Sequence, residues 1–189
     1  VILFSFLMLL PLLFILYYIV RQGFSVIDWD FLTALPRPIG ETGGGIANSI
    51  IGTILLIITA GILAIPLGVF AGIYLAEQKK GRLPASIRLC TEILQGIPSI
   101  VIGIIAYTWI VLSMGTFSAL SGGIALAIMM LPVIVRSTEE TLKLIPESLR
   151  EASLALGVPY SRTVLKVIMP AGLTGIMTGV LLGIARIAG

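Results

Sequence analysis

The chain contains no histidine and one cysteine, Cys90, in 189 residues. Without histidine it lacks the commonest general base and the commonest metal ligand. A lone cysteine closes no intrachain disulfide and builds no cysteine metal cluster. Charge is scarce as well. Only 11% of the residues are Asp, Glu, Lys or Arg, against about 25% in a soluble domain. Catalytic motifs are missing too. No G-x-x-x-x-G-K-[ST] occurs, so the chain builds no ATP site of its own, and G-x-S-x-G, H-E-x-x-H and C-x-x-C are also absent. The expectation is a protein that is not an enzyme and carries no metal or cofactor.

What the chain has instead is apolar length. It is 58% hydrophobic, with a mean hydropathy of +1.13. This is the composition of a polytopic membrane protein. In hydrocarbon every backbone polar group must pair within the chain, which leaves helices or closed barrels. The apolar runs are continuous rather than alternating, so the reading is all-α.

Five spans are expected. Val1–Val20 is the first, read as a retained helix rather than a cleaved signal peptide, because no small-residue cleavage site precedes Arg21. Residues 21–45 are polar and hold the helix-breaking run Gly43-Gly44-Gly45. Thr42–Ala76 carries no charge for 35 residues, and about 20 suffice to cross. The second span is therefore long or tilted, from Ile46 to Ala76, with a kink expected at Pro66. Ile93–Val135 is uncharged for 43 residues, enough for a third span ending near Leu112 and a fourth starting near Phe117, with a turn at 113–116. A fifth starts near Pro170. The chain has no initiating Met, and it closes at Ala188-Gly189 within an apolar run. It is read as an internal fragment, with 46–189 a truncated core domain.

The net charge of +3 is a topology signal rather than one of nucleic-acid affinity. Segments 77–92 and 136–166 hold four and five Lys/Arg, while 21–45 holds two and the turn at 113–116 none. The positive-inside rule puts both basic segments in the cytoplasm and 21–45 on the periplasmic side. The acidic residues are expected in the loops.

Within the larger basic segment, Pro146 is placed as a first helical residue and Gly157 as a helix stop. Leu149, Ala152 and Leu156 share one face between them. Pro159 and Ser161 punctuate before a second short helix near Arg162–Met169. The result is a helix–turn–helix at the membrane surface, whose small, apolar face fits a groove on a partner. A plain surface connector is the alternative.

In the fifth span Gly175, Gly179 and Gly183 make a small-residue stripe for close helix packing. Arg186 falls on that face, about 24 Å along the helix if the span starts near Pro170. An intramembrane Arg costs at least about 2.5–3.5 kcal/mol, so it is expected to face a translocation path. Snorkelling to the interface is the competing account. Gly68 and Gly72 read as ordinary helix packing. Pro98 and Pro132 read as kinks.

Glu151–Pro170, EASLALGVPYSRTVLKVIMP, matches at fixed spacing the pattern E-A-A-x-x-x-G, nine residues, I-x-L-P. That pattern belongs to the coupling loop of ABC-importer permeases, which this chain resembles. Glu151, Ala152, Gly157 and Pro170 match; Ser153, Val167 and Met169 depart conservatively. Other stretches narrow the resemblance: 45–53 (GIANSIIGT), 68–77 (GVFAGIYLAE), 96–103 (GIPSIVIG), 130–140 (MLPVIVRSTEE) and 178–189 together are similar to PstA-type permeases of phosphate importers.

The resemblance implies a type I (MetI-like) permease bundle. It implies a cytoplasmic coupling loop at 136–169, with Glu151, Ala152, Ser153, Gly157 and the adjoining Pro170 meeting a separate ABC ATPase dimer. It further implies a PstC-type partner permease and a periplasmic or lipoprotein phosphate-binding protein, in the inner membrane. The family pattern continues past Gly189 into a Glu and a further span. Two rival functions stay open. One is a permease of the same fold for molybdate, sulfate, a polyamine or an amino acid. The other is an ion-gradient-driven transporter or channel, which would call for ion ligands within the spans.

Overall fold

The computed structural model describes residues 2–24, 26–38, 40, 41 and 43–188, leaving aside the side chains of residues 2–6 and 8. Val1 of the expected first span, Ser25, Ile39 and Thr42 around the 21–45 segment, and Gly189 lie outside the described residues. Among these residues there are helices and connections but no strand. The chain divides into two compact units, Val1–Gly52 and Thr53–Gly189.

The first unit opens with helix α1, Ile2–Gly23, which contains Pro11. The polar segment after it holds a short helix, α2, Trp29–Thr33. Asp28 caps α2, its Oδ1 accepting from the Phe31 N–H at 2.7 Å. Residues 45–47 fold back on α2: Ile46 N–H donates to Phe31 O, and Ala47 N–H to Ala34 O. Gly45 sits so close that a Cβ there would lie 2.3 Å from Phe31 O, so only glycine fits.

Helix α3, Ala47–Glu77, follows and keeps Pro66 inside one continuous helix. The second unit then runs through α4 (Arg82–Gly96), α5 (Ser99–Met114), α6 (Ala119–Lys143), α7 (Glu147–Ala155), α8 (Tyr160–Ala171) and α9 (Leu173–Ala188). Among the described residues, α3 and α6 are each long and apolar enough to cross a membrane. The pairs α4–α5 and α8–α9, bent by 102° and 68°, raise the number to four if each is one span. The apolar stretch Leu9–Gly23 of α1 is shorter.

Helix α6 is the centre of the second unit. Its Ala127, Met130 and Ile134 join Ala60 and Ala64 of α3 and Val180 of α9 in one buried cluster. A second cluster gathers Ala76, Leu142, Ile168 and Ile176 at the other end. Lipid tails are as apolar as Leu, so close backbone approach rather than water exclusion drives such contacts. Glycines supply it. A Cβ at Gly68 would meet Ile134 at 2.8 Å, and one at Gly72 would meet Thr138 at 2.5 Å. On the other flank, Gly175, Gly179 and Gly183 of α9 face Thr141, Ser137 and Met130, with would-be Cβ contacts of 2.3, 2.3 and 2.9 Å. The large apolar residues of α3 point outward instead, Ile54, Ile58, Ile62, Leu67 and Phe70 among them. That inverts a soluble protein and suits lipid.

Several expected boundaries move. The 77–92 segment is not a loop, because α4 starts at Arg82. The third span is not continuous from Ile93: Pro98 lacks an N–H and drives Ile97 into an extended conformation (ψ 128°), so the chain breaks and restarts at Ser99. The fourth span does not end at Val135. Its charges ride on the helix, where Arg136 and Glu140 pair at 2.6 Å and Lys143 pairs with Glu139, each at i,i+4 spacing. It begins at Ala119, with Ser118 and Ser121 forming a capping box. The short second helix of the 136–166 segment is longer than expected, Tyr160–Ala171, and includes Pro170. The fifth span starts after the bend, at Leu173. The turn at 113–116 is made by Gly115 at φ 69°.

Candidate functional site

The surface feature with the most organised polar chemistry is the α7–α8 helix–turn–helix. Pro146 stands at the N-cap of α7, one residue before its expected place. At the other end the N–H of Gly157 donates to Leu154 O at 2.9 Å, and that of Val158 donates to Ser153 O at 3.3 Å. These two bonds define a Schellman stop, with Gly157 left-handed at φ 77°. The chain then enters α8 through Pro159.

The five residues expected to meet a partner separate in this geometry. Glu151, Ala152, Gly157 and Pro170 are exposed, as are Leu149 and Leu156, the latter at 84%. Leu149, Ala152 and Leu156 therefore present an apolar strip rather than a core face. Ser153, expected at the surface, turns inward. It is buried, and its Oγ lies 2.9 Å from Thr163 Oγ1, tying α7 to α8. A Cβ on Gly157 would meet nothing within 4 Å, so the empty space above it faces out of this chain.

Ion pairs fasten the unit underneath. Arg150 of α7 forks onto Glu77, the last residue of α3: Nη2 donates to Oε1 at 2.7 Å and Nη1 to Oε2. The Tyr160 hydroxyl donates to the same Oε2 and accepts from Arg150 Nη1 at 3.1 Å. The guanidinium carbon stands 5.9 Å from the Tyr160 ring centroid. The Glu77 side chain is only 8% exposed and that of Arg150 22%. Hydrogen bonding to the Glu77 carboxylate raises the Arg150 pKa above the ordinary guanidinium value. Removing one partner of this half-buried pair leaves the other charge without its counter-ion. A weaker pair, Lys79 with Glu147 at 3.4 Å, is exposed on both sides.

A second cluster holds the same end of the bundle. Glu139, 2% exposed on α6, takes Arg88 Nε at 2.7 Å and Lys143 Nζ at 2.5 Å. Arg88 also donates to the backbone oxygens of Leu75 and Gln78. The acidic residues are thus not confined to loops: Glu77 and Glu139 are helical, the first half-buried and the second buried. Sequence reasoning missed both. Glu77 carries a faint signal as the first charge after a 35-residue uncharged run, but nothing in the order of residues pairs it with Arg150.

The remaining site expectation, Arg186, lies two residues from the end of α9. It is exposed, whereas Gly179 and Gly183 are buried against α6. It makes no hydrogen bond or ion pair among the described residues. Among those residues there is also no group of three or more His, Cys, Asp or Glu that could hold a metal ion.

The comparisons with known proteins agree in direction. The phosphate transport system permease protein PstA of Yersinia pestis is 45% identical over 179 residues, 94% of this chain and 61% of that protein. PstA 1 of Mycobacterium tuberculosis strain H37Rv is 36% identical over 185 residues, 96% of this chain and 60% of that protein. The chain therefore spans about three fifths of the length of these relatives. Among solved structures, a chain of an inward-facing MetNI methionine ABC transporter aligns with a TM-score of 0.71 at 22% identity, covering 76% of this chain and 70% of that one. That likeness is one of fold: an all-helical, MetI-like type I permease. Residues 64–189 match the family model of the binding-protein-dependent transport system inner membrane component, and the chain belongs to that family.

Proposed function

We propose that the chain is a transmembrane permease subunit of an ATP-driven importer for inorganic phosphate. The observation that carries the solute is the similarity to phosphate transport permeases over more than nine tenths of the chain. The exposed α7–α8 unit supports the drive. An apolar strip of Leu149, Ala152 and Leu156 on a short helix closed by the Gly157 turn suits insertion into a groove on a separate ATPase dimer. A PstC-type permease completes the path, and a phosphate-binding protein delivers the solute from the opposite side. Closure of the ATPases pushes α7 and flips the bundle between two faces, by alternating access of packed helices. No bond chemistry falls to this chain.

The proposed location is the inner membrane, multi-pass, with segments 77–92 and 136–169 cytoplasmic and 21–45 periplasmic. Their excess of Lys/Arg supports this orientation. Gln78 and Ser148 are both exposed. In a Cys90→Ser background, cysteines at these two positions are expected to resist an impermeant thiol reagent in intact cells. Ready labelling from outside reverses the orientation.

Arg186 is proposed to face the translocation path. Its exposure, and the absence of a partner among the described residues, leave the guanidinium fork available to phosphate oxygens, which a lysine cannot copy. One arginine holds an anion weakly enough to release it. In the complete transporter, Arg186→Gln is expected to assemble normally and lose phosphate uptake by roughly tenfold or more, the scale of a lost charge-assisted hydrogen bond. If Arg186 instead pairs with an acidic residue of the complete transporter, reversing both charges restores uptake. Unchanged uptake in Arg186→Gln leaves only an interface anchor. Wild-type transport of molybdate or sulfate in place of phosphate moves the assignment to another solute on the same fold.

A further inference from the structure

We propose that Glu77, Arg150 and Tyr160 form the joint through which movement of α7 enters the membrane bundle by way of α3, an inference that rests on the transport reading above. Covalently, α7 is linked only to α6, through three residues, and to α8. Neither link reaches α3. The sole side-chain hydrogen-bonded tie of α7 to that helix, among the described residues, is the half-buried Arg150 fork on Glu77, with Tyr160 of α8 closing the same carboxylate.

The three groups meet from three elements, so none can move alone without breaking a bond. A bidentate guanidinium–carboxylate pair also resists rotation, unlike a point contact. The receiving end is braced. Arg88 holds the backbone oxygens of Leu75 and Gln78 on either side of Glu77, and is itself anchored on buried Glu139. Above, Gly68 and Gly72 let the backbone of α3 sit directly against Ile134 and Thr138 of α6. A push on α7 therefore meets a stiff path along α3 rather than a hinge. The exposed Lys79–Glu147 pair has no such rigidity. These are positioning residues: they touch neither solute nor nucleotide.

The test uses the complete transporter in proteoliposomes, measuring both phosphate uptake and ATP hydrolysis. Glu77→Gln keeps the shape and removes the charge. It is expected to retain the ATPase subunits and their hydrolysis within a factor of about two, while phosphate moved per ATP falls by roughly tenfold. The exchange Glu77→Arg with Arg150→Glu is expected to recover most of that ratio, and Arg150→Lys, with no fork, is not. Tyr160→Phe, which loses one hydroxyl, should give a smaller drop and serves if Glu77→Gln does not reach the membrane. An unchanged ratio in either Glu77→Gln or Tyr160→Phe overturns the joint, as does an exchange variant that assembles but stays uncoupled. Failure of the wild-type complex to link uptake to ATP at all would instead remove the transport reading beneath it.

Discussion

Gly157→Asp is expected to leave the chain in the membrane and to abolish solute uptake together with co-purification of the ATPase. The reasoning separates two costs. Gly157 is left-handed at φ 77° and terminates α7 through a Schellman pair. A side chain there costs about 1–2 kcal/mol in backbone strain, too little to unfold the bundle. Within the chain an added Cβ meets nothing, so no clash is to be expected from inside. What remains is the outer surface, where an added carboxylate must be desolvated on docking. The loss should be at least roughly tenfold, since burying an unpaired charge costs more than the ~1.4 kcal/mol that a factor of ten represents. Gly157→Asn is the control. Asn tolerates the left-handed region and adds no charge, and should retain more uptake than Asp. Normal assembly and normal uptake in Gly157→Asp would sink the docking role of this turn.

Gly179→Val is expected to do the opposite kind of damage, removing the folded protein rather than its activity. An ideal Cβ at 179 falls 2.3 Å from Ser137 Oγ and 2.5 Å from Ser137 Cβ. The hydroxyl can rotate away, but the Cβ cannot, so α9 must lift from α6. Overpacking of this kind costs about 1–3 kcal/mol, and more when backbone has to shift. It would open the cluster of Met130, Ile134 and Val180 beside it. Thermal unfolding of the purified complex should show a clear drop, with little chain recovered from membranes. Ser137→Gly should rescue Gly179→Ala in the same assay, because it removes the atom that the new methyl meets. A Gly179→Val protein with wild-type yield and melting temperature would mean that the two helices are not in contact.

These two glycines show how unevenly the fold can be read from residue order. Gly157 was legible because its surroundings are local. A helix stop six residues after an exposed Glu, with Pro two residues later, needs no tertiary information. Gly175, Gly179 and Gly183 were legible as a stripe, because spacing alone defines a face, although their partners Thr141, Ser137 and Met130 were not. The ends of α4 and α6 were misjudged for one physical reason. Charge reads as the end of a helix, yet Arg136, Glu139, Glu140 and Lys143 continue α6 by pairing with one another and with Arg88. Ser153 reads as a partner contact but is buried within this chain, because a small polar residue suits either a partner or a buried hydrogen bond. The Glu77–Arg150 fork joins positions 73 apart, and no local pattern encodes which carboxylate a given arginine will find.

The wide turn at Tyr107–Val111, where α5 briefly adopts π geometry, has a consequence for how this helix meets its surroundings. Such a turn accommodates one residue more than an α-helical turn. Each residue of an α-helix advances by roughly 100°, so the two halves of α5 are out of phase by about that angle. A stripe drawn from Ile100 and Ile104 at regular spacing does not continue through Leu112. It is handed to a different side of the helix, as it would be in a screw cut with two offset threads. One apolar helix can in this way show lipid on one flank near the bend at Pro98 and on another near Gly115.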